Sequence, residues 1–298
     1  MLLRYRRATP EDLSRQWSLL EPERPLFSSE IWNQLRELVV DLLRRERILL
    51  CLLEDIQMNR IRFFGASGFV RPEFLHRAVA CDGKSVIETA FFQEAEGIPA
   101  FMNYKEVAEF NRNADLRLLN FFGTPTDIDP DRPETLTILN HAIEAWNFFH
   151  KGFQIREVWY EAANPLMAAL QKQVGLRVQR EKKLPGGVTV TLFRLTREEA
   201  LKSGPLWPGS AMISERPRFG FTRVEQKLLE MALLDHSDRD VSLLLNLTTD
   251  GVKKRWRSIY SKVMSVEPSL LSSELSGADQ RRSLLQFLRR SLEELRPY

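Results

Sequence analysis

Five cations, Lys253, Lys254, Arg255, Arg257 and Lys262, fall within residues 249–262, where the only acid is Asp250. Side chains of this type, spaced along one helix, can neutralise phosphates and reach base edges. On a helical period Val252, Trp256, Ile259 and Val263 recur every three or four residues and share one face. Lys253, Lys254 and Arg257 then fall on the opposite face, with Arg255 and Lys262 on a flank. Thr249 opens the helix and completes the set of candidate contacts to double-stranded DNA. The chain carries a net +3, but residues 216–298 alone carry +4 and residues 1–215 carry −1. The positive charge is therefore concentrated where phosphate contact would need it.

Such a helix needs neighbours to hold it. Thr222 with Glu225 has the spacing of a capping box, and Ser237 with Asp240 repeats it. Thr248 can cap the third helix, and Asp250 suits the positive end of its dipole. Asn246 stands where the chain must turn and tolerates a left-handed backbone. Leu228, Leu229 and Ala232 give the first helix an apolar face, and Val241, Leu244 and Leu245 are the expected inner residues of the second. The order predicts a helix-turn-helix.

This segment resembles the LuxR-type helix-turn-helix of bacterial transcription regulators from Phe221 onward, over about 45 residues. The likeness rests on Thr222, Glu225, Ser237, Val241, Leu245, Leu247, Val252, Lys253, Ile259, Tyr260 and Lys262. The resemblance implies that Lys253, Lys254 and Arg257 touch bases or nearby phosphates. Asn246 stands in place of the family's turn glycine, and Asp250–Gly251 in place of its Gly–Thr order.

The larger N-terminal part alternates strand and helix. Strands are expected at 2–7, 48–53, 61–70, 116–122, 157–161, 176–181 and 188–195. Helices are expected at 10–20, 29–47, 84–94, 104–112, 134–150 and 165–173. This order resembles the GNAT acetyltransferase fold. The likeness is strongest at ATPEDL and at REVWYEAANPLMAALQKQVGLRVQRE, where Asn164, Ala168, Leu170, Gly175 and Leu176 match. The resemblance implies a coenzyme A phosphate loop before the helix at 134–150. The stretch there, TDIDPDRPE, belongs to a run without glycine between Gly123 and Gly152, and it carries three aspartates. Backbone amides must approach a pyrophosphate closely, so this composition opposes phosphate binding. The position of the family's acid tyrosine falls on Gln171. No catalytic, cofactor-binding or metal residue is assigned on these grounds, and no cofactor is implied.

Other constellations read as structural. Asp127, Asp129 and Asp131 alternate without the glycine and distal glutamate of a calcium loop. Trp146, Phe148, Phe149 and Phe153 read as core. Gly65–Ala66–Ser67–Gly68 has the look of a nucleophile context, but no base is placed beside Ser67 in the sequence. Cys51 and Cys81 are the only cysteines and read as reduced, as in a cytoplasmic protein. No apolar run is long enough to span a membrane, and the start MLLRYRRATPEDL lacks the features of a signal peptide.

The expected fold is α+β (α/β): a GNAT-like mixed-sheet domain over 1–201, a linker over 202–218, a helix-turn-helix domain over 219–266 and a helical tail over 267–298. The tail leucines Leu284, Leu288, Leu292 and Leu295 would line a final helix that packs on its own chain or forms a homodimer. The expected function is a cytoplasmic DNA-binding transcription regulator whose N-terminal domain holds a small-molecule effector or serves assembly. The alternatives are an acyl-CoA-dependent N-acyltransferase with an accessory helix-turn-helix, and a scaffold whose helical domain binds protein.

Overall fold

Asp55 ends the second strand by accepting the amides of Gln57 and Met58, and Asn59 takes a left-handed φ of 48°. That turn folds β2 (Leu49–Asp55) back on β3 (Arg60–Phe69) and starts a seven-stranded sheet. The computed structural model describes residues 1–81, 84–126, 132–184, 187–203, 208–271 and 276–298. The chain divides into two units, one of 1–150 with 154–213 and one of 151–153 with 214–298.

In the first unit the remaining strands are β1 (Leu3–Arg7), β4 (Leu116–Pro125), β5 (Ile155–Ala162), β6 (Arg177–Lys183) and β7 (Thr189–Thr196). The sheet order is β1-β2-β3-β4-β5-β7-β6, and only β4 and β5 run parallel. A parallel pair needs a crossover, and α6 (Pro133–His150) supplies it. The mixed sheet expected from the element order is therefore present.

One sheet face carries α1 (Pro10–Gln16), α2 (Ser29–Arg44), α3 (Pro72–Ala80) and α4 (Val86–Ala95) over a continuous apolar core. Phe91, Phe101, Phe121 and Phe122 meet there with ring centroids 5.0–6.4 Å apart. Tilted and edge-on pairs of this kind add about 0.5–1.5 kcal/mol each beyond area burial. Buried Glu161 on β5 accepts the first two amides of α4, Val86 and Ile87, at 3.0 and 2.9 Å. Burial pushes its carboxyl up, while those amides and nearby Lys182 and Arg180 oppose the shift. A carboxylate from the sheet thus satisfies a buried helix start.

The other face carries α6 and α7 (Pro165–Gln173), with α8 (Arg197–Ser203) beside β5 and β7. The helix α5 (Tyr104–Arg112), opened by the Asn103–Glu106 capping box, leads into β4. Three helices differ from expectation, one of them α8, where the sequence pattern leaves the chain unassigned. The helix from Pro10 ends at Gln16 and tightens into a 3-10 helix over Trp17–Leu26, which contains Pro22 and Pro25 and so cannot keep the α ladder. The helix α3, over residues to which no element is assigned from sequence, starts with Pro72 in its first turn.

In the second unit, α9 (Arg223–Leu233) and α10 (Asp238–Leu244) begin at the Thr222–Glu225 and Ser237–Asp240 capping boxes. Thr248 caps α11 (Thr249–Val266) by accepting the Gly251 amide at 3.0 Å, so the glycine is accommodated in the first turn. Asn246 adopts φ 51° between α10 and α11. Val252, Trp256, Ile259 and Val263 are buried. The expectation fails at Leu244, which is 53% exposed: α10 is only seven residues long and buries Val241 alone. The final helix is also interrupted. It runs as α12 (Gly277–Leu288) and resumes as a 3-10 turn at Leu292–Leu295, yet Leu284, Leu288, Leu292 and Leu295 are all buried within the chain. Arg296 holds this segment in place: its guanidinium donates to the Lys151 carbonyl at 2.9 Å and pairs with Glu230 at 3.5 Å.

Glu225 ties α9 to α11. Its carboxylate accepts from Lys262 at 2.7 Å and from Ser258 at 2.8 Å, besides its capping contact to Thr222. Burial alone would push Glu225 up, but Lys262, the Thr222 amide and Ser258 outweigh it and hold it below the usual carboxylate range. A depressed carboxylate contributes stability that is full above the unfolded pKa of about 4.3 and is lost as pH falls through the folded value. Lys262→Met is expected to lower stability of this unit at neutral pH and to flatten its acid limb. Urea melts between pH 3 and 7, followed by amide hydrogen exchange in α9 and α11, measure both; parallel acid limbs for the two proteins would contradict the pairing.

Candidate active site

The parallel pair β4–β5 is short. Its register runs from Leu116–Ile155 to Asn120–Tyr160 and stops, although β4 continues to Pro125 and β5 to Ala162. At that point β4 carries a bulge: Ala66 pairs with Phe122 and Ser67 with Asn120, which leaves Phe121 as the extra residue. The bulge brings Asn120 and Gly123, three positions apart, to the same face. Beneath α6 and α7 the parting strands leave a cavity of about 130 Å³.

Apolar walls dominate it, including Leu49, Phe63, Leu139, Ile143, Met167 and Leu170. Gly65 and Gly123, paired in register, form part of the floor. A Cβ at Gly123 would stand 2.9 Å from the Tyr160 hydroxyl and 3.6 Å from Met167 Cε, so any side chain there would displace the tyrosine. Ser67, Asn120 and Tyr160 lie in one cross-strand row on β3, β4 and β5 and give the cavity its polar edge.

That row is joined to α6 by a closed network. Ser67 Oγ lies 2.7 Å from His150 Nε2. His150 Nδ1 lies 2.8 Å from the Trp146 carbonyl. The two rings, one helical turn apart, stack at 4.6 Å. Trp146 Nε1 donates to Asn120 Oδ1 at 2.9 Å, and Asn120 is the register partner of Ser67. A carbonyl can only accept, so the neutral imidazole carries its proton on Nδ1. Nε2 is then the acceptor, and the Ser67 hydroxyl donates to it. This is the geometry of a hydroxyl activated by an oriented base. Ser67 and His150 are both buried.

Two further groups border the cavity. Burial pushes the Tyr160 hydroxyl far above its ordinary value, with Glu23 adding in the same direction. It therefore stays protonated and acts as a donor. Burial pushes the Cys51 thiol up to about 12, against a smaller opposing effect of Arg7, so Cys51 is an apolar wall and not a nucleophile. Gln171, at the position where the resemblance would put a tyrosine, is buried on α7 and lines the same cavity.

No base stands near Ser67 in the sequence; the base comes 83 residues later. The usable signal was the amphipathic pattern of 134–150, which ends on His150 after Trp146 one turn earlier. Trp146 and Phe149 line the cavity, Phe148 packs with Tyr5, and Phe153 lies in the second unit beneath the Arg296 guanidinium. Asp127, Asp129 and Asp131 lie outside the described residues. Among the described residues no group of three or more His, Cys, Asp or Glu is placed to hold a metal ion. No helix among them is long and apolar enough to cross a membrane.

In the second unit Thr249, Lys253, Lys254, Arg255 and Arg257 are exposed along α11. Lys253 lies 3.6 Å from Asp250. Lys262 is committed to Glu225 and to the Gly220 carbonyl at 3.0 Å, so its charge is compensated inside the unit.

No family model matches the chain, and no curated protein matches it. Similar solved structures include Arabidopsis thaliana NAA60 in complex with acetyl-CoA, with 12% identity, TM-score 0.40, and coverage of 65% of this chain and 98% of that one. A variant of Vibrio cholerae spermidine N-acetyltransferase shows 12% identity, TM-score 0.39, and coverage of 68% and 100%. The Escherichia coli ribosomal-protein-S18-alanine N-acetyltransferase shows 12% identity, TM-score 0.37, and coverage of 65% and 94%. These proteins are acetyltransferases, not transcription regulators. The expectation of a bacterial LuxR-type, DNA-binding transcription regulator is corrected accordingly: the capped helices and exposed cations are present, but none of these similar structures is a regulator of that type.

Removing one partner from a buried hydrogen bond leaves the other unsatisfied, at a cost of about 1–3 kcal/mol. His150→Leu and Ser67→Ala are each expected to destabilise the chain, His150→Leu more. The double variant is expected to lose about 1 kcal/mol less than the two singles combined. Urea denaturation of the four proteins measures the coupling, and strict additivity would contradict it.

Proposed function

We propose that the first unit is an N-acyltransferase domain that takes an acyl thioester into the gap between β4 and β5 and passes the acyl group to an amine. The observation that carries this reading is the Ser67–His150 pair, oriented by the Trp146 carbonyl at the polar edge of an apolar cavity. Beyond Asn120 the register of β4 with β5 has ended, while its other edge still pairs with β3 through Pro125. Backbone amides and carbonyls on the open side of a strand accept an extended ligand that carries amides of its own.

Acyl transfer to an amine needs a base for the amine proton and a donor for the leaving thiolate. His150 Nε2 serves as the base, through Ser67: the serine oxygen receives a proton from the amine as its own proton moves to the imidazole. The amine nitrogen forms the bond to the acyl carbon, and the carbon–sulfur bond breaks. Tyr160, held protonated by burial, donates a hydrogen bond to the carbonyl oxygen as charge develops there, and the His150 imidazolium returns its proton through Ser67 to the departing thiolate. The reading is confined to the thioester arm, because the aspartates of 127–131 and the lack of glycine between Gly123 and Gly152 do not suit a pyrophosphate. That same composition favours a second reading, in which the cavity holds a small-molecule effector without turning it over.

Thiol release from acyl-pantetheine and acyl-CoA thioesters, in the presence of a panel of primary amines, tests the proposal. The full chain is expected to release thiol in an amine-dependent way, and Ser67→Ala or His150→Gln to lower kcat on the order of 100-fold. Binding of thioester without amine-dependent release would select the effector reading. No binding at all would exclude both.

A further inference from the structure

We propose that the acyl group taken by this site is a chain of about four to six carbons, seated in the apolar cavity beneath α6, and not acetyl. This inference rests on the acyltransferase reading and adds the substrate class to it. The cavity volume is about 130 Å³. An apolar cavity of about 150 Å³ accommodates the six carbons of benzene and otherwise stays dry. An acetyl methyl would fill a small part of this space and leave apolar walls without contacts.

The arrangement of groups sets the direction of the chain. The polar row Ser67, Asn120 and Tyr160 lies where β4 and β5 part, and it is where a thioester carbonyl finds donors. From there the walls are Leu49, Phe63, Leu139, Ile143, Met167 and Leu170, with no ionisable side chain among them. Gly65 and Gly123 keep the floor open. A Cβ at Gly123 would stand 2.9 Å from the Tyr160 hydroxyl and take up the space beside it. Ala142 on α6, a small buried residue, lines the roof. The same features limit length: a chain much longer than six carbons meets the packed faces of α6 and α7.

Each methylene moved from water into such a site strengthens binding about fourfold. Amine-dependent thiol release and equilibrium binding are measured on the full chain with acetyl-, butyryl-, hexanoyl- and decanoyl-pantetheine, and binding also with free hexanoate. The expected result is a kcat/KM for hexanoyl on the order of 100-fold above acetyl, with decanoyl disfavoured. Ala142→Leu is expected to move the optimum toward acetyl and Leu170→Ala to move it toward longer chains. If Ala142→Leu fails to fold, as its melting curve would show, Leu170→Ala decides the point alone. Turnover that is equal for all chains or best with acetyl overturns this inference and leaves the acyltransferase reading standing. Absence of thiol release with every thioester overturns that reading. Binding of free hexanoate in preference to its thioester overturns the thioester inference and identifies the cavity as a carboxylic-acid site.

Discussion

The parting of β4 from β5 governs the first unit. Two parallel strands that pair for only a few residues and then separate must be covered at the gap, because neither exposed backbone edges nor apolar side chains can be left there without cost. The crossover helix α6 and the following helix α7 provide that cover. They do not fill the space completely, since two glycines, paired across β3 and β4, supply no side chains to meet them. The bulge at Phe121 lets Asn120 and Gly123 share the cavity face while Phe121 and Phe122 join the opposite core. Cavity, polar edge and aromatic core therefore follow from one departure from regular pairing.

Burial of polar groups is balanced locally. Ser67, Asn120 and His150 lie inside a largely apolar region, where an unsatisfied hydroxyl or imidazole would be costly. The ring from Ser67 through His150 and Trp146 to Asn120 satisfies them in a single network. The same network gives the imidazole one tautomer and aims Nε2 at the serine. Structural satisfaction and chemical readiness come from the same contacts. On the opposite face Glu161 follows the same logic, as a buried carboxylate satisfied by the start of α4.

In the second unit the local pattern carries the helices and their buried face, but not the destination of each charge. Its helix starts were legible because caps are short-range devices: Thr222, Ser237 and Thr248 act on amides two or three residues away. The buried face of α11 was legible for a similar reason, since Val252, Trp256, Ile259 and Val263 follow the helical period. What helix geometry does not reveal is where each charge is spent. Lys262 was assigned to a ligand-facing flank and instead neutralises Glu225 on another helix. Leu244 was assigned to the interior and is exposed, because a seven-residue helix presents too little surface to bury two sides.

The sequence by itself determined the elements: hydrophobic period, caps and turn residues placed nearly every strand and helix, since all of these act within about one turn of the chain. It also determined the mixed architecture, through the alternation of strand and helix and the long crossover before β5. Only the tertiary structure decided the site. Ser67 and His150 are 83 residues apart, and nothing local to either reports the other. Their meeting depends on the register of β3 against β4 and on the bulge at Phe121, two long-range facts that a single sequence does not encode in readable form. A serine among small residues and a histidine at a helix end became a candidate active site only when the sheet brought them to 2.7 Å.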